Sequence, residues 1–300
     1  MQPSLRLPWS ALQDFAAIAH AGQLARAAQL LGVDASTMGR RLRRLEAQLG
    51  QTLFEQTREG HALTEAGEAL LAHVEAMQRA AERIAELPGG GGGTGLSGLL
   101  RVSVSEGFGS WFVAPLLAGF HARHPQLVID LAATSGFLNP SRREADLAVL
   151  LARPRSGPVV SRKLSDYALR LYAAAGYAGP PVREVGDLSA HTLVGYVPDL
   201  LYAPELRYLD ELDPALTATI RSSSINAQHR LIASGLGIGV LPRFIGDADP
   251  GLVPILPDRQ ILRSFWIVTH RDTRQLKRIR AFQTWLEEVV DQHRDRLLGG

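Results

Sequence analysis

Five consecutive glycines, Gly89 to Gly93, interrupt this 300-residue chain. Such a run cannot hold one conformation cheaply, because glycine loses more backbone freedom on ordering than any other residue. Pro88 precedes it, and Thr94, Gly95 and Gly98 follow, so residues 89–98 read as a Gly-rich hinge at which an arriving helix must stop. The chain must fold as separate parts on either side. Its length suggests two or three domains with ample core. Hydrophobic residues make up 46% and charged residues 21%, the proportions of an ordinary soluble protein.

Before the hinge, apolar residues recur at helical spacing. Leu5 to Ala21 reads as a first helix with Leu12, Phe15, Ala16 and Ala19 as its core stripe, ended by Gly22. Leu24 to Leu31 and Ala35 to Gln48 follow as two more, joined by a tight turn in which Gly32 suits a positive φ. The small pair Ala27–Ala28 lets the helices cross closely, and Asp34 or Ser36 can cap the third helix by accepting from its free N–H groups. In that helix Met38, Leu42, Leu45 and Leu49 make one buried face. Ser36, Thr37, Arg40, Arg43 and Arg44 make the opposite one, with Arg41 beside them. A helix divided in this way fits a DNA major groove; the plainer reading is a solvated basic face.

Leu53 and Phe54 are apolar anchors for a short polar piece, Glu55 to Leu63, which reads as a two-stranded wing able to lay Arg58 and His61 on a phosphate backbone. Thr64 then caps a helix running to about Leu87. Its apolar positions Leu70, Val74, Met77, Ala81 and Ile84 are spaced 4-3-4-3, a heptad seam. The spacing offers that stripe no obvious place inside its own small domain, which favours pairing between two chains.

After the hinge the texture changes. Leu99 to Val104 alternates as a strand, Glu106 to Ser110 is a Gly-rich turn, and Trp111 to His124 is a helix. Further strands are expected at Leu127–Ala133, Asp146–Leu151, Val159–Lys163, Leu169–Ala174, Thr192–Tyr196, Thr217–Ser222, Gly237–Pro242 and Phe265–His270. Ile225 to Ser234 is a helix, and a final amphipathic helix carries Ile279, Phe282, Leu286 and Val289. Such alternation predicts a mostly parallel, doubly wound α/β sheet.

Several chemistries drop out. With no cysteine there is no disulfide, thiolate nucleophile or cysteine-held metal. His121-x-x-His124 lacks a third ligand nearby, and Gly235-x-Gly237-x-Gly239 follows a helix and enters a strand, the wrong order for binding phosphate. No Gly-x-Ser-x-Gly, Ser-x-x-Lys or His-Glu-x-x-His occurs. The reading is therefore of a non-enzyme without cofactor or metal. Asp14 and Arg26 interrupt the first thirty residues, so no secretory leader is expected there, and no uncharged apolar run is long enough to cross a membrane. A cytoplasmic protein is expected. The net charge of +2 is too small to argue for nucleic acid, so the distribution of charge carries that argument.

The order of parts resembles the LysR-type transcriptional regulators over nearly the full length. The resemblance rests on Leu12 and Phe15, Ala27-Ala28-x-x-Leu31, Leu42-x-x-Leu45-Glu46, Leu49-Gly50-x-x-Leu53-Phe54 and Leu63-Thr64-x-Ala66-Gly67. Beyond the hinge it continues through Gly98-x-Leu100-Arg101-Val102, Phe120-x-x-x-x-Pro125, Asp146-Leu147-Ala148-Val149 and Gly235 to Pro242. Gly39 and Gln56 depart from it, standing where the family usually has a serine and an arginine, and the glycine hinge is longer than usual. The resemblance implies a winged helix-turn-helix over 1–64, a dimerising linker helix over 65–88, the hinge over 89–98, and a two-lobed domain over 99–300 like the periplasmic binding proteins. The first lobe takes in about 99–160 and 264–300, the second about 161–263. It also implies a homodimer or homotetramer on double-stranded DNA, responding to a small-molecule effector between the lobes, and leaves room for RNA polymerase as a further partner. The competing reading is a ligand-binding or catalytic α/β protein whose N-terminal helices serve assembly.

On that basis Ala35, Ser36, Thr37, Arg40 and Arg41 are assigned to base reading, since arginine can grip guanine O6 and N7 together. Arg43, Arg44 and Arg58 are assigned to phosphates, although Arg44 could instead pair with Glu46 or with an acid of the first helix. The effector should meet Ser105, Glu106, Gly107, Phe108 and Ser110 from one lobe and Ser223 and Ser224 from the other, with Ser135, Phe137 and Arg153 at the cleft. Helix starts favour an anion there, while Glu106 argues against one unless it faces outward or contacts an amine or hydroxyl.

Overall fold

The computed structural model describes residues 7–57, 60–85, 95–134, 136 and 144–299. It divides into two compact units, Met1–Gly92 and Gly93–Gly300.

In the first unit, helices α1 (Trp9–Ala21), α2 (Leu24–Leu30) and α3 (Ala35–Leu49) precede a hairpin of β1 (Phe54–Thr57) and β2 (Gly60–Leu63), and then α4 (Glu65–Ala85). Gly32 turns the chain between α2 and α3 at φ 65°, a conformation that strains a residue with a Cβ. The core is the one that helical spacing selects: Leu12, Phe15 and Ile18 of α1, Ala27 and Ala28 of α2, and Met38, Leu42 and Leu45 of α3. Leu53 and Phe54 close it, the Phe54 ring lying 5.4 Å from that of Phe15. Thr64 caps α4 by accepting from the Gly67 amide at 3.0 Å.

The heptad seam needs correction. Val74 of α4 is fully buried in this core, and Leu70 packs against it. His20 of α1 meets Glu75 of α4 at 3.2 Å. Burying a valine side chain is worth roughly 1.5–3 kcal/mol, so the first half of α4 belongs to its own unit and Val74 is not free to face another chain, while Leu70 is partly buried against the same core. Met77 and Ala81 remain exposed, and the Ile84 side chain lies outside the described residues.

The second unit is built on a nine-stranded sheet ordered β4-β3-β5-β11-β6-β9-β7-β8, with β10 paired to β6. Here β3 is Gly98–Ser105, β4 Leu127–Thr134, β5 Leu147–Leu150, β6 Val159–Ala174, β7 Leu193–Gly195, β8 Ile220–Arg221, β9 Ile238–Pro242, β10 Leu252–Ile255 and β11 Ile261–His270. The helices are α5 (Glu106–Phe108), α6 (Ala114–Arg123), α7 (Tyr208–Leu212), α8 (Ile225–Ala233), α9 (Arg243–Gly246), α10 (Lys277–Gln292) and α11 (Arg294–Leu298). Strands β4, β3 and β5 run parallel in one lobe, covered by α6 and α10, which meet through Phe120, Phe282 and Trp285. Strands β9, β7 and β8 run parallel in the other, against α8. The antiparallel pair β6–β11 spans both lobes and joins them.

Four expectations change. The sheet is mixed rather than mostly parallel, because its central pairings are antiparallel. The two strands expected within residues 159–174 are one 16-residue strand, whose polar middle made the sequence look interrupted. That middle is held by Asp166, which accepts from Lys163 Nζ at 2.8 Å and Ser264 Oγ at 2.6 Å. Only Ile220–Arg221 of the expected strand at Thr217–Ser222 is paired, and β10 was not foreseen. Finally, Glu106 to Ser110 is not a turn. The chain enters α5 directly from β3 and continues through a π turn, Gly109–Val113, into α6. Gly109 is needed there for close approach, since a Cβ would overlap Ala133 of β4. No helix among the described residues is long and apolar enough to cross a membrane.

Candidate nucleic-acid interface and effector cleft

The start of α3 is organised by one carboxylate. Asp34 Oδ1 accepts from the Thr37 amide at 2.8 Å and the Ser36 hydroxyl at 2.6 Å, and Oδ2 accepts from the Thr37 hydroxyl at 2.7 Å. Arg40 Nη2 donates to Thr37 Oγ1 at 3.2 Å. Of the two capping candidates, Asp34 is the cap. The Ser36 and Thr37 hydroxyls, then the Thr37 amide, hold its carboxyl well below the usual carboxylate range. With their protons directed at Asp34, Ser36 and Thr37 keep oxygen lone pairs for outside donors.

Ala35, Ser36, Arg40, Arg41, Arg43 and Arg44 are exposed, and Thr37 is half-buried. Arg41 differs from the rest: its Nη1 lies 3.1 Å from Oδ2 of the buried Asp14, tying α3 to α1. The bridge to the first helix weighed for Arg44 is thus made by Arg41, while Glu46 accepts from the Leu53 amide at 2.8 Å. Arg40, Arg43 and Arg44 have no acidic partner among the described residues. Gly39 has room, since an added Cβ would meet only Leu24 Cδ1 at 3.6 Å. The wing is present as the β1–β2 hairpin, with the His61 ring edge-on to Phe54 at 6.0 Å. Arg58 lies outside the described residues.

In the second unit, the groups assigned to the effector meet one another across the lobes. Glu106 Oε1 accepts from Ser224 Oγ at 2.7 Å and Asn226 Nδ2 at 3.0 Å, and Oε2 accepts from the Ile225 amide at 3.0 Å. The anion-binding end of α8 is therefore filled by the chain's own carboxylate. Trp111 Nε1 donates to Asn226 Oδ1 at 2.7 Å, and Ser110 Oγ accepts from Asn226 Nδ2 at 3.4 Å. Ser224 also serves as the N-cap of α8, accepting from the Ala227 amide, and Ser223 sits half-buried beside it. Trp111 and Asn226 were not singled out by sequence, although Asn226 follows a Ser-rich helix start that marks such a position.

Beneath this junction lies a cleft lined by Ser105, Gly107, Phe108, Tyr167, Tyr196, Tyr202 and Tyr208. Phe108 is fully buried, stacked 5.1 Å from Phe112 and tilted against Phe265 at 4.3 Å, so it is lobe packing that also forms a wall. Burial pushes the phenols of Tyr167, Tyr196, Tyr202 and Tyr208 upward, so all stay protonated at neutral pH. The free volume is about 20 Å³, room for little more than one water molecule. The tyrosines, spread over residues 167–208, carry no spacing that marks them in sequence. Arg153 does not line this cleft; its guanidinium lies 5.6 Å over the Trp266 ring, a cation–π contact. Ser135 and Phe137 lie outside the described residues.

Comparison with known proteins identifies both units. A family model described as LysR substrate binding domain matches residues 93–291. Another, described as bacterial regulatory helix-turn-helix protein, lysR family, matches residues 9–68. The chain is 29% identical over 292 residues to the Mau operon transcriptional activator of Paracoccus denitrificans, covering 94% of this chain and 96% of that one. It is 28% identical over 300 residues to the transcriptional regulator PtxR of Pseudomonas aeruginosa, covering 95% and 94%. Among solved structures, a full-length OxyR variant from Pseudomonas aeruginosa shares the fold with a TM-score of 0.69 at 22% identity, covering 95% of this chain and 98% of that one. Full-length CrgA from Neisseria meningitidis does so with a TM-score of 0.54 at 23% identity, covering 96% and 99%. The substrate-binding match alone takes in well over half of the chain, which therefore belongs to the LysR family of DNA-binding transcriptional regulators.

Proposed function

We propose that α3 reads operator sequence chiefly through Arg40, assisted by the acceptor oxygens of Ser36 and Thr37, with Ala35 beside them against the bases. Arg43, Arg44 and the wing residue Arg58 hold phosphates. Arg41 positions α3 on α1 and turns only its outer edge to DNA. The observation that carries this reading is the ordered turn at Asp34, which presents Arg40 from an exposed helix start without an acidic partner among the described residues. A groove-reading helix needs this arrangement.

The protein works as a cytoplasmic homo-oligomer of two or four chains, without catalytic activity, with pairing through the exposed Met77 and Ala81 stretch of α4. The five-glycine segment divides the DNA-binding part, residues 1–88, from an effector domain beginning near residue 99. That one relative is named a transcriptional activator supports RNA polymerase as a further partner. The effector sits between the lobes, against Ser105, Phe108 and the tyrosine wall, with Glu106 reporting its arrival to α8.

Fluorescence anisotropy on DNA from the chain's own promoter tests the DNA reading. Affinity should fall steeply with salt, with a slope near the number of phosphates neutralised. No binding at low salt by the intact oligomer would sink it.

A further inference from the structure

The cleft's electrostatics point to a ligand class. Three neutral donors satisfy Glu106, namely the Ser224 hydroxyl, the Ile225 amide and the Asn226 side chain, and no cation pairs with it among the described residues. Its charge reaches the phenols of Tyr196 and Tyr202. A second carboxylate stands close by. Glu205, in the short turn between Tyr202 and Leu206, has its Oε2 buried without a hydrogen-bond partner, and its charge acts on Tyr167. Arg263, which pairs with Glu211 and donates to the Glu205 carbonyl oxygen, acts on Tyr167 with the opposite sign and more strongly, so the Glu205 charge is offset at that ring. At Tyr196 and Tyr202 the cleft thus combines aromatic rings, whose faces carry a negative quadrupole, with the carboxylate charge of Glu106. The helix end that would ordinarily attract an anion is already closed.

We propose that this cleft selects a small organic ammonium ion, held by cation–π contact with Tyr196 and Tyr202 and charge-balanced by Glu106. This rests on placing the effector between the lobes. Aromatic faces attract an ammonium group and repel a carboxylate, and Glu106 reinforces both preferences at Tyr196 and Tyr202. Because the closed cleft has room for about one water molecule, the ligand enters as the lobes part. Glu106 then exchanges bonds to α8 for bonds to the ammonium, so ligand arrival loosens the junction that Glu106 makes.

Isothermal titration of the full-length chain tests this with ethylammonium and phenethylammonium against propionate and 3-phenylpropionate, which carry a carboxylate in place of the ammonium group. Two variants divide the question: Tyr202→Ala reports the place of binding and Glu106→Gln the charge. Tyr202→Phe keeps the ring as a folding control, and thermal melts check each variant. The expected result is heat from an ammonium and none from its carboxylate counterpart, with affinity down about tenfold in both Glu106→Gln and Tyr202→Ala. Carboxylate binding that Tyr202→Ala weakens would overturn the ammonium class and leave the interlobe placement standing. Ammonium binding that neither variant alters would overturn both. If neither series binds, the ammonium proposal is wrong.

Discussion

The Glu106 carboxylate of one lobe closes the helix start at Ile225 of the other. Oε2 accepts from the Ile225 amide at 3.0 Å while Oε1 holds the Ser224 hydroxyl and the Asn226 side chain. Removing the carboxylate leaves a helix N-terminus and a hydroxyl without their partner. Loss of an acceptor from part-buried donors costs about 1–3 kcal/mol. Glu106→Ala should therefore lower the Tm of the second unit and speed hydrogen exchange at Ile225 and Ala227. Glu106→Gln, which retains an acceptor oxygen, should fall between. Unchanged exchange at the start of α8 in Glu106→Ala would show that the lobes are held by other contacts.

Arg40 and Arg44 share the exposed face of α3, yet their surroundings differ. Arg40 is steered by Thr37 at the helix start, while Arg44 lies a turn further along without an acidic partner among the described residues. Arg40→Ala should cost about 1–3 kcal/mol of binding and relax preference at one base position. Arg44→Ala should weaken all sequences alike and reduce the salt slope by about one. Competition binding against a library of single-base operator variants separates the two. Equal weakening on every sequence by Arg40→Ala would remove it from base reading.

Arg41 tests whether a residue on the DNA face can serve chiefly to hold the helix. Its partner Asp14 is buried and its own side chain is about half exposed. That exposure limits the pair to about 1 kcal/mol. A double-mutant cycle on urea melts with Arg41→Ala and Asp14→Ala should return a coupling of that size. A coupling of zero would leave Arg41 free for DNA.

These cases mark how much was legible beforehand. Repeated apolar spacing gives Met38, Leu42 and Leu45 a common face, and Asp34 stands where a cap belongs, so α3 follows from local rules. The spacing of α4 is equally plain, but periodicity names a face and not what covers it. Val74 is covered by its own unit, and only folding α1 beside it reveals that. The bond from Ser224 to Glu106 joins residues 118 apart and the Asp14–Arg41 pair residues 27 apart, distances over which no pattern operates. Glu106 was readable as a problem, an acid at a helix start that had to face outward or contact an amine or hydroxyl, and Ser224 supplies a hydroxyl. The tyrosine wall was not readable, because its members come from β6, from either side of a short turn and from α7, and share no spacing.

The corrected face of α4 separates folding from assembly. Val74→Asp would bury a charge in the core, a change that costs several kcal/mol unless the group neutralises, and should unfold the first unit. Met77→Asp places the same charge on a side chain that is about half exposed, at 48%. It should leave the first unit's melting intact and shift the chain towards monomer in analytical ultracentrifugation. A Met77→Asp chain that sediments as the unaltered protein does would place the oligomer contact elsewhere.

Asp34 gives the first unit a defined response to acid. Its carboxyl is held well below the ordinary range by Ser36 and Thr37, so the folded state favours the charged form. A group depressed in this way adds stability above its unfolded pKa of about 3.9, and that contribution is lost as pH falls towards the folded value. Asp34→Asn keeps a capping oxygen but has no such titration. Thermal melts of the two proteins should therefore differ most near neutral pH and converge as pH falls below about 4. A constant gap across that range would mean that the cap works through geometry alone, with its charge contributing nothing.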